Sequence, residues 1–137
     1  KVALLSFSNF GSTRHALANK VRNALRIVKE KDPKLIVDGE MQGDTAVTPE
    51  ILDNFFPFSD LAGKGGANVL IFPNLEAGNT AVKLVQRLSG AEAIGPILLG
   101  MRKPVHVLQV GAFNEIDVVY MTAVAVVDAQ EYSESLV

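Results

Sequence analysis

The sequence contains no cysteine and only two histidines. Without cysteine, the chain has no disulfide bond, no thiol nucleophile and no zinc–thiolate site. This absence fits a reducing compartment, so we expect a cytoplasmic protein. No apolar run approaches the roughly 18 residues of a membrane-spanning helix, and we therefore expect no membrane partner.

An excess of charge of one sign is also missing. Thirteen lysines and arginines stand against fifteen aspartates and glutamates, which gives a net charge of -2. There is no basic stripe and no aromatic-rich surface, so nucleic acid is not an expected partner. The 137 residues suffice for one domain with a core. Because the apolar run "VALLSF" follows directly on Lys1, we expect a piece of a longer protein.

Five short apolar segments are rich in β-formers and mostly do not alternate with polar residues. This composition is typical of strands buried on both faces, and hence of a parallel sheet. The sequence therefore predicts an α/β fold, with strands in the segments 2–7, 35–37, 68–72, 96–100 and 105–108.

The segments between these runs show helical spacing. Apolar residues recur at helical intervals over 17–28 and again over 77–88, which predicts two amphipathic helices. A short helix is expected at "TPEI", with Thr48 as its cap and Pro49 in its first turn. Residues 62–66 form a loop. The last helix, 114–130, is apolar almost all round, so we expect it to be buried on several sides or to wait for a partner.

The motif "SFSNFGS" leaves the first strand through a glycine turn and enters a helix. Ser8, Asn9, Gly11 and Ser12 offer backbone and hydroxyl donors there, where a phosphate or carboxylate can bind. The motif matches neither the dinucleotide-binding fingerprint nor a P-loop. The alternative interpretation is an ordinary strand-to-helix turn with Ser12 as the helix cap.

The segment "DGEMQGD" places Asp38, Glu40 and Asp44 close together in sequence. A metal site or an acid/base pair is one interpretation, but the segment lacks the full calcium-loop pattern. The other interpretation is structural, with carboxylates at the end of a strand bonding loop N–H groups. We favour the structural interpretation.

Four further polar residues are candidates for contact with a ligand. His15 and His106 have no metal-ligating neighbour at a typical spacing, and a hydrogen-bonded structural role is favoured for His106. Asn79 and Lys83 are four residues apart on one helix face and either touch an anionic ligand or only face solvent.

Several longer segments together resemble the phosphate acetyltransferase family: "VALLSFSNFGS", "VDGEMQGDTAV", "NVLIFPNLEAGN", "KLVQRLSGAEAIGPILLGMRKPVHVL" and "MTAVAVVDAQ". The resemblance implies an isocitrate/isopropylmalate dehydrogenase-like α/β fold with two subdomains and a cleft for coenzyme A and acetyl phosphate. Residues 1–103 would form the bulk of one subdomain. Residues 104–137 would return to the other subdomain, which lies in a first half missing from this sequence.

The catalytic signature of that family is altered here. The signature has Ser, Arg and a later Asp, whereas this sequence has Gln109, Val110 and Ile116, with Asp117 one place late. A valine neither donates a hydrogen bond nor balances a phosphoryl charge, so acetyl transfer is not expected. The resemblance places Gln109 in the cleft.

The segments "SNFGS", "KPVHVL" and "AVAVVDAQ" are more similar to the phosphotransacetylase-like domain at the C-terminus of large bacterial NADP-dependent malic enzymes. That similarity implies a domain for assembly and acetyl-CoA sensing, in a homo-oligomer. NADP and a divalent metal would belong to an upstream malic-enzyme domain, and this chain would hold no cofactor. An active phosphate acetyltransferase and a purely structural dimerisation module are the alternatives. The expected effector contacts are Ser8, Asn9, Gly11, Ser12, Asn79, Lys83 and Gln109.

Overall fold

The computed structural model describes residues 1–108 and 114–134. The chain divides into two compact units, Lys1–Leu84 and Val85–Val137. The subdomain boundary that the resemblance implies, after residue 103, stays a prediction.

The first unit contains a parallel sheet of three strands in the order β2–β1–β3. The strands are β1 (Val2–Leu5), β2 (Val37–Met41) and β3 (Val69–Ile71). Val2 of the central strand pairs with Val37 on one side and with Val69 on the other. The predicted α/β class and parallel sheet are thus confirmed.

Five helices are described. They are α1 (Ala16–Lys31), α2 (Gly43–Val47), α3 (Pro49–Phe55), α4 (Leu75–Ser89) and α5 (Glu115–Glu134). The sequence predicted all of them except α2. Pro49 occupies the first turn of α3, where its missing N–H costs nothing, but the side chain of Thr48 makes no capping hydrogen bond.

The central strand β1 is covered on both faces. Leu4 packs with Val21 of α1 and with Val37, whereas Leu5 belongs to a second cluster with Leu52 and others. Successive side chains of a strand point to opposite faces, so β1 needs apolar residues at consecutive positions. This explains why its sequence is a continuous apolar run.

Two predicted strands do not form. The segments 96–100 and 105–108 meet only in an isolated antiparallel bridge between Ile97 and His106. Proline lacks the backbone N–H that a strand donates to its neighbour in a sheet. Pro96 is the first residue of one segment, and Pro104 directly precedes the other. The apolar content of the two segments was therefore a misleading signal.

The bounds of β2 also differ from the prediction. Ile36, predicted within the strand, lies outside it and is 39% exposed, while β2 continues through Asp38, Gly39 and Glu40 to Met41. All five residues of β2 are buried. Two carboxylates are tolerated there because each finds donors, as described below.

The helix α5 carries apolar side chains around most of its circumference, and several of them are exposed within the described chain. Val118, Val119, Val126 and Val127 are 40%, 58%, 51% and 52% exposed. In α4 no residue is buried. Among the described residues, none of the helices is both long and apolar enough to span a membrane.

Candidate functional site

The loop between β1 and α1, residues 6–15, is built around the buried carboxylate of Glu40. Oε1 of Glu40 accepts hydrogen bonds from the Ser8 hydroxyl at 2.9 Å and from the Gly11 N–H at 2.8 Å. The backbone oxygen of Glu40 accepts from the Phe10 N–H at 2.8 Å. Glu40 itself is fully buried, so these bonds replace its hydration.

The second oxygen of Glu40 faces a cation of α1. Nε of Arg22 lies 3.1 Å from Oε2 of Glu40. The N–H is not aligned for a hydrogen bond, so the contact is an ion pair. Arg22 also donates from Nη2 to the Asn19 side chain at 2.7 Å. The buried negative charge is thereby balanced from a helix rather than from the loop.

Inside the loop, serine hydroxyls bond to the backbone. The Ser8 hydroxyl, which donates to Glu40, also accepts from the Thr13 N–H at 3.0 Å. The Ser12 hydroxyl accepts from the Asn9 N–H at 3.0 Å. Phe10 and Gly11 reverse the chain with φ of 46° and 88°. The loop is therefore held by a connected set of internal hydrogen bonds.

Asn9 ties this loop to the start of α2. Its Nδ2 donates to the side chain of Gln42 at 3.2 Å, and its Oδ1 accepts from the Gln42 N–H at 2.7 Å. Gln42 in turn donates to the backbone oxygen of Phe7 at 2.8 Å. Gln42 therefore fixes the Asn9 side chain, and the second N–H of the Asn9 amide has no partner among the described residues.

Ser12 is not the helix cap that one interpretation predicted. The cap of α1 is His15, whose Nδ1 accepts from the Leu17 N–H at 3.1 Å. The Ser12 hydroxyl is already used by Asn9, and α1 begins only at Ala16. The helix therefore starts later than the serine pattern indicates, and His15 has a structural role that the sequence did not reveal.

The three carboxylates of "DGEMQGD" do not converge. Asp38 accepts from the Ser59 hydroxyl at 2.8 Å and from the Asp60 N–H at 2.9 Å, both through Oδ2. Asp44 is exposed in the first turn of α2. No group of three potential metal ligands forms among residues 1–108 and 114–134. Asp38 and Glu40 each hold a different loop, which is the structural role that we favoured.

The remaining predicted contacts lie apart from this loop. Asn79 and Lys83 are exposed on α4, and neither is hydrogen-bonded to the loop in the described part of the chain. Gln109 and Val110 lie outside the described residues. The participation of Ser8, Asn9, Gly11, Ser12, Asn79, Lys83 and Gln109 in ligand binding stays a prediction.

Two residues considered in the sequence analysis, Asp117 and His106, lie in the second unit. Asp117, one place late for the signature, accepts from the Asn114 N–H at 2.7 Å through Oδ2, while Asn114 accepts from the Asp117 N–H. This reciprocal pair caps α5. His106 lies with Nε2 3.2 Å from Oδ2 of Asp128, but neither ring nitrogen makes a hydrogen bond within the described residues, so the hydrogen-bonded role favoured for His106 is not found.

The chain resembles known proteins over nearly its whole length. A family model described as phosphate acetyl/butaryl transferase matches residues 1–126. A phosphate acetyltransferase of Acetivibrio thermocellus is 48% identical over 130 residues, which are 95% of this chain and 38% of that protein. An NADP-dependent malic enzyme of Escherichia coli is 46% identical over 133 residues, which are 95% of this chain and 17% of that protein.

A solved structure shows the same fold. The crystal structure of a phosphotransacetylase from Streptococcus pyogenes matches with a TM-score of 0.84 and 41% identity, covering 98% of this chain and 39% of that chain. The chain thus spans 38% of the acetyltransferase and 17% of the malic enzyme named above.

Proposed function

The chain belongs to the phosphate acetyl/butaryl transferase family, and on that basis we propose that it is the C-terminal regulatory and oligomerising domain of an NADP-dependent malic enzyme. The parent reaction is the oxidative decarboxylation of malate to pyruvate. NADP and a divalent metal belong to the upstream domain of that parent. The complete domain would have the dehydrogenase-like fold with two subdomains.

The observation that carries the proposal is the altered signature. The resemblance places Gln109, Val110 and Ile116 where the transferases of this family have Ser, Arg and Asp. An arginine bidentate to phosphate supplies charge and orientation that an aliphatic residue does not supply. Losing one transition-state contact of this kind costs about a hundredfold or more in rate. We therefore expect no acetyl transfer, and we propose that the domain binds acetyl-CoA without it.

The geometry of the β1–α1 loop supports an effector site there. The loop is fixed by Glu40 and Gln42 before any ligand binds, and a preorganised loop loses little entropy on binding. Of the four loop residues proposed for acetyl-CoA, Asn9 and Ser12 would contact it, whereas Ser8, which is buried, and Gly11 donate to Glu40 and would hold the loop in place. Asn79, Lys83 and Gln109 complete the proposed set, with Lys83 supplying a positive charge for a phosphate.

Two assays on the full-length protein test the proposal. Transfer of acetyl between acetyl phosphate and coenzyme A should be undetectable, and acetyl-CoA should change the kinetics of malate oxidation. Lys83→Ala should reduce this response several-fold, whereas Lys34→Ala, which removes an exposed lysine elsewhere, should not. An acetyl-CoA response that survives substitution of Ser8, Asn9, Ser12, Asn79 and Lys83 would show that the site is wrong. No response at all would favour a purely structural module.

An active phosphate acetyltransferase is the second candidate function. It is supported by the 48% identity to the acetyltransferase of Acetivibrio thermocellus, which is similar to the 46% identity to the malic enzyme. The two candidates differ in one measurement, because robust transferase turnover by the full-length wild type would establish the second and exclude the first.

A further inference from the structure

A cavity lies at the carboxyl ends of β1 and β3. From the central strand β1 the chain passes to β2 on one side and later to β3 on the other. In open α/β sheets, such a change of direction leaves a crevice where ligands bind. Here the crevice has a volume of ≈ 400 Å³ and is lined by residues that follow both strands. This volume is typical of a site for a small ligand.

The walls of the crevice are mainly apolar. Leu5 ends β1 and Phe7 follows it, Phe72 follows β3, and Leu17 comes from the first turn of α1. Phe7 is 49% and Leu17 is 51% exposed, although both sit beside the sheet. An apolar part of a ligand of a few carbon atoms would cover these side chains and gain the free energy of removing them from water.

The polar side chains that line the crevice are Ser6, Lys20 and Asn74, and Oγ of Ser6 accepts a hydrogen bond from the Ser8 N–H at 3.3 Å. Nζ of Lys20 donates to the backbone oxygen of Pro73 at 2.7 Å, which holds the ammonium at the crevice and leaves its other N–H groups available. Asn74 uses Oδ1 to cap the Ala77 N–H at 2.9 Å, and its Nδ2 has no hydrogen bond within the described chain. The positive end of α4 begins at the next residue.

The charge of the crevice selects the ligand. Lys20 is the single charged side chain among the described lining residues, and no guanidinium accompanies it. A carboxylate carries one negative charge, which one ammonium balances, whereas a phosphate monoester carries nearly two, of which Lys20 would balance only one.

We propose that this crevice binds a short-chain monocarboxylate. The carboxylate lies against Lys20, Asn74 and the amino end of α4, and the alkyl chain lies between Phe7, Leu17 and Phe72. This site uses none of the residues assigned to acetyl-CoA and does not rest on the function proposed above.

The test is a ligand-observed NMR titration of the full-length protein, with butyrate, n-butyl phosphate and n-butanol as probes. Butyrate should bind with a Kd of about 1 mM, a weak affinity suited to six heavy atoms. n-Butanol, which lacks the charge, should bind at least about tenfold more weakly. n-Butyl phosphate should not bind more tightly than butyrate. Tighter binding of the phosphate would overturn the choice of a carboxylate.

Two variants locate the site. Lys20→Met keeps the helix and removes the ammonium, so it should weaken butyrate about tenfold. Lys31→Met, about 16 Å further along the same helix, is the matched control and should leave the affinity for butyrate unchanged. Ala77→Leu fills the crevice with a larger side chain and keeps the charge of Lys20, and it should abolish butyrate binding. Equal butyrate binding by wild type and Lys20→Met, or absence of butyrate binding to wild type, would overturn the proposal. The response of malate oxidation to acetyl-CoA is measured separately, so that a failure of the proposed function is distinguished from a failure of this proposal.

Discussion

Nε of Arg22 lies 3.1 Å from Oε2 of Glu40, and the carboxylate is fully buried. Seven residues further along α1, Nζ of Lys29 lies 4.0 Å from Oδ1 of Asp38, the carboxylate two residues before Glu40. Lys29 also lies 2.7 Å from Oδ2 of Asp60. Seven residues are about two helical turns, so one side of α1 places a cation near each of the two buried carboxylates of β2.

Removal of Arg22 should loosen the β1–α1 loop. Arg22→Met leaves the buried charge of Glu40 without its cation. Breaking a buried pair costs about 3–5 kcal/mol, but the Arg22 side chain is 38% exposed, so we expect about 1–3 kcal/mol. Amide hydrogen exchange of residues 6–14 should become about ten- to a hundredfold faster.

The matched control for Arg22 is on the same helix. Arg26→Met breaks only the exposed ion pair with Glu30, which is worth less than about 1 kcal/mol. Exchange in the loop should then remain as in the wild type. If Arg22→Met and Arg26→Met changed the loop equally, the Glu40 pair would not be what holds it.

Gly39 should not tolerate a side chain. Its φ is 149°, and a Cβ there would lie 2.5 Å from the backbone oxygen of Leu4. The clash is with the central strand, which has a neighbour on each side and has little room to move. We expect Gly39→Ala to destabilise the protein by more than about 2 kcal/mol, seen as a lower thermal midpoint. Gly43→Ala, where nothing lies within 4 Å of the added Cβ, is the control and should be nearly neutral.

Much of the first unit follows from the sequence. The continuous apolar run at residues 2–5 predicts a strand covered on both faces, and Leu4 and Leu5 do pack on opposite faces. The apolar spacing over 17–28 predicts α1 as an amphipathic helix. Val21, one of these apolar residues, does pack on the sheet. These features depend only on local periodicity, which a single sequence records.

The parts that were missed depend on contacts distant in sequence. Glu40 is buried in β2 because Ser8 and Gly11 supply donors and Arg22 supplies a cation, and nothing in the segment 35–47 shows those partners. His15 caps α1 where a serine was expected. In 96–108 the apolar content predicted strands, but neither segment found a parallel neighbour.

Tyr120 should titrate at higher pH than an ordinary tyrosine. Its hydroxyl donates to Glu92 at 3.0 Å, and this hydrogen bond, together with the negative charge of Glu92, raises the pKa of Tyr120 above the usual value of about 10. The folded state keeps the proton longer than the unfolded chain. The contribution to stability is therefore complete below about pH 10 and is lost as the pH rises through the folded pKa.

Ultraviolet titration of the phenolate bands measures this pKa. The Tyr132→Phe background assigns the signal, because the chain has only two tyrosines. In that background, Glu92→Gln should lower the pKa of Tyr120 by removing the charge. A pKa that does not fall would mean that Glu92 is not its cause.

The exposed valines of α5 should form part of a subunit contact. Val119 and Val127 are each more than half exposed, on a helix whose sequence is apolar almost all round. Exposed apolar clusters of this kind mark interaction surfaces, and homo-oligomerisation is part of the function proposed above. We expect Val119→Lys to shift the full-length protein to smaller species in sedimentation velocity, because a lysine ammonium is costly to bury. Thr122→Lys, at an exposed polar position of the same helix, should cause a smaller shift. An oligomer unchanged by both Val119→Lys and Val127→Lys would mean that these valines meet another part of the same chain rather than a second copy.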